Sequence, residues 1–411
     1  MKTSAKTHFS ILSVAALLAA WSLGCVSGDL PTGPALADAA AGAVGSGGAG
    51  GRAGSSGGGG AGVDGGTCSA VDLQQDNANC GACGYACVHG RSCTAGRCMP
   101  AWQPLATEGA PALRANHVGV ILGSDYVIFG GASPAYGPAL ATGAQYDLTN
   151  DTWAPISDLA AARVSHVGVS TGTSILTFGG LTNQSNGDNE GPGLEEFVPS
   201  SGGGQWTALA PANTPTLRYN FGGTWTGSSF FIVGGGSNSV PDLSDGAAYT
   251  PGSGWVDYPC ALPQAGWTEP ILLIQDANIR VAWGGYPNYE SGAGASFAGG
   301  RWSNWTEPAD PNGYVNTYYA VTGTKVYFIT SPSPPGQSVG TDLTGIAALD
   351  ISEGTWTTDT TPLPAGFCMS SNHAVAWSGS ELVAWGGQCS TSDPTAIGTA
   401  TVGGRYQPPA P

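Results

Sequence analysis

The chain has 411 residues, of which 67 are glycine, 9% are aromatic and only 10% are charged. This combination favours a loop-rich β protein over a helical one. The formal net charge is −16, with only 12 Lys and Arg residues, and it argues against nucleic acid as a partner because phosphate binding needs a basic face.

Residues 1–24 are typical of a secretory signal peptide, with two early lysines and an apolar stretch over residues 9–23 that is short for a membrane span. The stretch ends in Leu-Gly-Cys at Cys25 and resembles a bacterial lipobox, although Ser22 stands where leucine is usual. We expect lipidation at Cys25, with simple cleavage nearby as the alternative. The protein is therefore expected to be exported, as a cell-surface lipoprotein of the outer envelope or as an extracellular protein, and to contact the membrane only through this anchor.

Residues 25–67 are predicted to form a disordered, flexible tether. Residues 39–67 are almost all Gly, Ala and Ser, so they cannot bury enough apolar surface to offset the loss of backbone entropy on folding. We expect this segment to hold the following domains away from a membrane surface.

Residues 68–98 are predicted to form a small disulfide-rich module. Zinc is one interpretation, because Cys80-x-x-Cys83 has a metal-ligand spacing. Disulfides are favoured, since no second C-x-x-C is present and the segment follows an export signal. The pattern resembles a small cysteine-rich module found ahead of other domains in secreted bacterial proteins, a resemblance that implies no activity. Six cysteines are expected to pair among themselves: Cys68, Cys80, Cys83, Cys87, Cys93 and Cys98.

The rest of the chain repeats a unit of about fifty residues. Each unit has a tryptophan, an apolar run that in all but one case ends in Gly-Gly, and a further short run that usually contains an aromatic residue. Such a period with several short strands predicts a radial or solenoid β array. The tryptophans are Trp102, Trp153, Trp206, Trp255, Trp302 and Trp356, and the apolar runs include "YVIFGG", "ILTFGG", "FFIVGG" and "ELVAWGG".

These features resemble the kelch repeat over residues 101–408. The first strands read "RANHVGV", "RVSHVGV", "RYNFGG" and "SSNHAVAW", close to the R-x-x-H of that family. The resemblance implies an all-β, six-bladed kelch-type β-propeller, here preceded by the Gly-rich linker and the disulfide-rich module. The strand at Trp102 is expected to complete the last blade beside "GGRYQP". In this family Arg and His are expected to bind carbonyls of the adjoining blade, and Trp to fill the wedge between blades.

No catalytic residue, metal or cofactor is predicted. Kelch-type copper-radical oxidases, which resemble galactose oxidase, need a Cys–Tyr cross-link, a second Tyr and two His. Here His117, His166 and His373 each match the inner-strand histidine of the repeat, although all three could converge near the axis. Cys368 and Cys389 are expected to form a disulfide, which leaves Cys260 unpaired.

The loops offer the candidate binding residues. Tyr136, Tyr286 and Tyr289 follow diglycines and could stack on sugars or peptides, or pack on their own loops. Asp188 and Glu190 could hold Ca²⁺, with a solvated turn as the alternative. We expect a monomeric, non-catalytic binding protein for a protein or carbohydrate ligand. The alternative is a kelch-type propeller enzyme, either copper-radical oxidase-like or sugar mutarotase-like.

Overall fold

The fold is all-β. The computed structural model describes residues 42–45, 48–49, 71–133, 137–183, 191–240, 243–258, 270–275, 278–282, 294–298, 301–306, 319–323, 325–330, 345–359, 361, 371–388 and 403–410. These residues contain no helix, and so no apolar helix long enough to cross a membrane is found among them.

The N-terminal part contributes five short strands: β1 (Gly42–Gly45), β2 (Gly48–Ala49), β3 (Ser92–Thr94), β4 (Arg97–Met99) and β5 (Trp102–Pro104). β3 and β4 pair as an antiparallel hairpin in which Cys93 lies opposite Cys98. This hairpin belongs to the disulfide-rich module.

The remaining strands are arranged as a β-propeller of five sheets that surround an axis, and a group of four antiparallel strands within these sheets is called a blade below. The first three blades are β6 (Val118–Leu122), β7 (Asp125–Phe129), β8 (Gly143–Asp147) and β9 (Thr152–Ile156); β10 (Val167–Ser170), β11 (Ile175–Phe178), β12 (Glu195–Val198) and β13 (Gln205–Ala208); and β14 (Gly222–Trp225), β15 (Phe230–Val233), β16 (Gly246–Thr250) and β17 (Gly254–Tyr258). β6–β9 and β14–β17 are the two ends of a ten-stranded sheet, with β1 and β2 between them.

The chain forms three further four-stranded sheets. They are β18 (Ile271–Gln275), β19 (Asn278–Ala282), β20 (Gly294–Ala298) and β21 (Arg301–Trp305); β22 (Tyr319–Val321), β23 (Lys325–Thr330), β24 (Gly345–Asp350) and β25 (Thr355–Asp359); and β26 (Ser371–Trp377), β27 (Leu382–Gln388) and β28 (Gly403–Tyr406) with β5. The first strand of each blade is the innermost, and β26 contacts β6, so the last blade lies beside the first.

β5 supplies the outer strand of the last blade, as the sequence predicts. Tyr406 in β28 lies opposite Trp102 in β5, and their ring centroids are 5.2 Å apart. An N-terminal strand thus covers the edge that β28 would otherwise expose. The closing pairing is antiparallel, like every other pairing within the blades.

β1 and β2 lie within the segment that is predicted to be a tether. β1 pairs with β14, and Ala49 of β2 pairs in parallel with Val120 of β6. Both strands also contact other innermost strands, so this short part of the segment runs along the propeller axis.

Aromatic residues fill the wedges between blades, as predicted. A fourth-strand tryptophan packs on an aromatic residue from the second strand of the preceding blade, and it also packs on an aromatic residue from the third strand of its own blade. The contacts between blades are Phe129–Trp206 at 4.8 Å, Phe178–Trp255 at 5.1 Å and Trp385–Trp153 at 4.6 Å between ring centroids. This packing makes the core continuous from one blade to the next.

The contribution of the closing strand β5 to the stability of the ring can be tested at Trp102. Trp102 is buried, and truncation of such a side chain costs about 3–5 kcal/mol of unfolding free energy. We expect Trp102→Ala to lose that amount in urea denaturation, whereas Val198→Ala, at a side chain that is 51% exposed, changes stability little. Equal stability of the two variants would show that β5 contributes nothing to ring closure.

Candidate functional site

The junction between neighbouring blades repeats one backbone hydrogen bond. In three diglycines, the second glycine donates its N–H to the carbonyl of the arginine that precedes the next blade. The three described examples are Gly131 to Arg163 at 2.8 Å, Gly180 to Arg218 at 2.9 Å and Gly387 to Arg114 at 2.9 Å. The last of these crosses the closure point of the ring.

The arginine side chains bind within their own blades, and this corrects the expectation that they reach the adjoining blade. Arg114 donates to the carbonyls of Gly130 and Thr142 at 3.0 and 2.6 Å. Arg163 and Arg218 bind the corresponding glycine carbonyl and a carboxylate at the start of the third strand, Glu195 or Asp245. It is the backbone carbonyl of each arginine, and not its guanidinium, that joins two blades.

The Arg163–Glu195 ion pair is fully buried. The side chains are 0% and 1% exposed, and Glu195 also accepts a hydrogen bond from the Ala160 N–H at 2.9 Å. Burial lowers the pKa of Arg163 to about 10, against the opposing effect of Glu195. The Glu195 carboxylate therefore has both of its oxygens bound, one by Arg163 and the other by the Ala160 N–H.

The residues before His117, His166 and Phe221 have a left-handed backbone, a feature that the sequence did not predict. Asn116, Ser165 and Asn220 have φ values of 53°, 57° and 51°. They are linked in series, because Ser165 donates its N–H to Asn116 and Asn220 donates to Ser165, both at 3.2 Å. Two of the three are asparagine, which tolerates this conformation, and that was the available signal.

The inner-strand histidines are buried against neighbouring glycines. A Cβ at Gly130 would lie 2.4 Å from Cε1 of His166, and one at Gly386 would lie 2.6 Å from Cε1 of His117. Phe221 takes the same place against Gly179, with Cε1 2.9 Å from the Cβ position. A flat ring is thus what the junction requires, and an imidazole is not essential.

Burial lowers the pKa of His117, His166 and His373, the last to about 3. His117 interacts electrostatically with both His166 and His373, but the three side chains do not form a cluster of metal-ligating groups. The one cluster of metal-ligating groups among the described residues is Cys80, Cys87 and Cys98, whose sulfurs are in disulfides.

The module contains the disulfides Cys80–Cys93 and Cys87–Cys98, and Cys83 is also disulfide-bonded. The disulfide interpretation is therefore confirmed for these cysteines, in preference to zinc. Several other residues singled out by the sequence lie outside the described residues: Cys25, Cys68, Tyr136, Asp188, Glu190, Cys260, Tyr286, Tyr289, Cys368 and Cys389.

The two faces of the propeller differ in the length of their connections. Short turns, such as residues 123–124, join first and second strands, whereas long segments, such as residues 130–142 and 179–194, join second and third strands. Because the strands alternate in direction, all second-to-third connections emerge on one face. Connections between blades, such as residues 157–166, emerge there too. We call this face the long-loop face.

Comparison with known proteins returned no relative, since no protein-family model and no curated protein matches the chain.

The diglycine junction predicts a position-specific cost of adding one methyl group. Gly130 and Gly123 have similar φ values, +67° and +64°, but a Cβ at Gly130 would clash with His166 and one at Gly123 meets nothing within 4 Å. Gly123→Ala should cost roughly 1–2 kcal/mol from backbone strain. Gly130→Ala should cost roughly 1–3 kcal/mol more from overpacking, measured by urea denaturation. Equal losses would mean that the junction is not tightly packed.

The buried histidines predict acid sensitivity. Their pKa values are lowered in the folded state, so the unfolded chain binds more protons below pH 6.5 and stability falls as the pH decreases toward 3, by about 1.4 kcal/mol per pH unit for each histidine. His166→Phe, which copies Phe221, should keep stability at pH 7 and remove one such contribution. His166→Ala should lose about 1–3 kcal/mol at pH 7. A His166→Phe variant with an unchanged pH profile would show that other groups control the acid response.

Proposed function

We propose that this protein is a non-catalytic binding protein of the cell surface or the extracellular space, and that its long-loop face binds a protein or a glycan. The observation that supports this proposal is the asymmetry of the propeller, with long connections on one face and short turns on the other. Rigid β scaffolds commonly carry binding residues on such loops. Export through residues 1–24 and lipidation of Cys25 are part of the proposal.

We further propose that the ring has six blades of the kelch type. In this interpretation the ten-stranded sheet is two blades, β6–β9 and β14–β17, that β1 and β2 connect across the axis. The bond from a diglycine N–H to an arginine carbonyl, repeated at three junctions, supports one structural unit for the blades that share it. The kelch-like R-x-x-H and Gly-Gly motifs both contribute to this junction.

The use of polar groups near the axis supports binding over catalysis. A general acid or base must hold a titratable group within hydrogen-bond reach of its target. Arg114, Arg163 and Arg218 are instead bound by carbonyls or carboxylates of their own blades. His117 and His166 are completely buried against glycines.

The competing function is a kelch-type propeller enzyme, either copper-radical oxidase-like or sugar mutarotase-like. Metal analysis of the purified full chain separates the first of these from a binding protein, and a mutarotation assay on simple aldoses separates the second. Copper bound at one equivalent with oxidase activity, or catalysed mutarotation, would overturn the proposal.

If the long-loop face binds the ligand, substitutions on that face should weaken ligand binding. We expect the full chain to bind members of a glycan array or an extracellular protein, and Tyr286→Ala with Tyr289→Ala to weaken that binding about tenfold through lost aromatic stacking. Val198→Ala is the control, because Val198 is exposed beside the turn that joins β12 and β13, on the opposite face. Equal effects of the two changes would place the ligand elsewhere.

A further inference from the structure

The cysteine-rich module docks on the propeller through a buried arginine. Arg91 and Glu381 form an ion pair with side chains 0% and 1% exposed, and Glu381 immediately precedes β27 of the closing blade. The guanidinium also donates to the carbonyls of Pro100 at 2.9 Å and Arg405 at 3.1 Å. His89 of the module lies 3.0 Å from the other Glu381 oxygen. Glu381 thus binds two side chains of the module, those of Arg91 and His89.

A second contact reaches the neighbouring blade. Asp359, the last residue of β25, accepts hydrogen bonds from Arg97 of the module and from the Tyr406 hydroxyl of the closing blade. Its other oxygen accepts from the Thr361 hydroxyl at 2.7 Å. The module therefore bridges two blades at the place where the ring closes.

A third contact follows β28. The Gln407 side chain accepts from the Val88 N–H at 3.1 Å and donates to the Ala86 carbonyl at 2.7 Å. The Tyr85 hydroxyl donates to the Pro408 carbonyl at 2.5 Å. These bonds hold the end of the chain just beyond the closing strand pair.

The surface that makes these contacts depends on disulfides. The buried cluster of the module consists of Cys80, Cys93 and Cys98, with Tyr85 and Cys87 packed against it. A segment of this size with so little apolar core needs covalent links to keep a shape. The disulfides Cys80–Cys93 and Cys87–Cys98 enclose or adjoin the docking residues between Tyr85 and Arg97.

We propose that the cysteine-rich module is a redox-dependent clasp, which secures the closing blade only when its disulfides are formed. β5 and β28 are short, and β5 has only three residues. Their pairing alone is therefore a short junction between the two ends of the propeller. Each disulfide forms when two thiols give two electrons and two protons to a disulfide oxidant, which becomes a dithiol. Ring closure would then be completed in an oxidising compartment.

The test compares full-length variants and does not use a reductant, which would also reduce cysteines elsewhere. The variants are Cys87→Ser with Cys98→Ser, which removes one bridge, and Glu381→Gln, which keeps every disulfide but weakens docking. Gln75→Ala is the control, because Gln75 is exposed on the module and makes none of the docking contacts. Near-ultraviolet circular dichroism of the buried propeller tryptophans, Trp385 among them, reports the ring itself.

A clasp predicts that both variants lower the midpoint of the propeller transition by at least about 5 °C, and that Gln75→Ala leaves it unchanged. Hydrogen exchange at the β28–β5 amides should accelerate at least tenfold in both variants. If the cysteine variant does not fold, Arg97→Ala and Glu381→Gln still report docking, and exchange in a Cys98→Ala protein, which lacks only the Cys87–Cys98 bridge, reports the disulfide. An unchanged midpoint in all variants would show an independent module. A lower midpoint in Glu381→Gln alone would overturn the redox dependence.

Discussion

The hydrogen bond from a diglycine N–H to the arginine carbonyl of the next blade is the constraint on which the ring depends. It requires two backbones to approach so closely that a Cβ at Gly130 would lie 2.9 Å from the Arg163 carbonyl oxygen. The same arginine fixes its own blade through its guanidinium, so one residue positions a blade and joins it to the preceding one.

The polar residues near the axis are explained by this junction. A buried guanidinium needs several acceptors, and each arginine finds them in the strands that it holds. The imidazoles of His117 and His166 fill space beside a glycine, a role that Phe221 performs without any nitrogen. These arginines and histidines are therefore part of the scaffold.

The cysteine-rich module also contributes to the closure of the propeller. A propeller must close, and here the last blade is completed by a short strand that directly follows the module. Arg91 and Arg97 connect the module to the closing blade and to the blade before it. A segment whose composition suggests a separate domain is thus joined to the ring beside the closing strand.

The sequence alone determined the all-β class, the blade repeat and the closing strand, because Gly-Gly, aromatic and Trp positions recur with a fixed order that local packing demands. It also indicated disulfides over zinc in the module. Only the tertiary structure decided that arginine side chains bind their own blades and that the module docks through Arg91 and Glu381. Those contacts join residues up to 290 positions apart, and neither periodicity nor spacing carries information on such pairs.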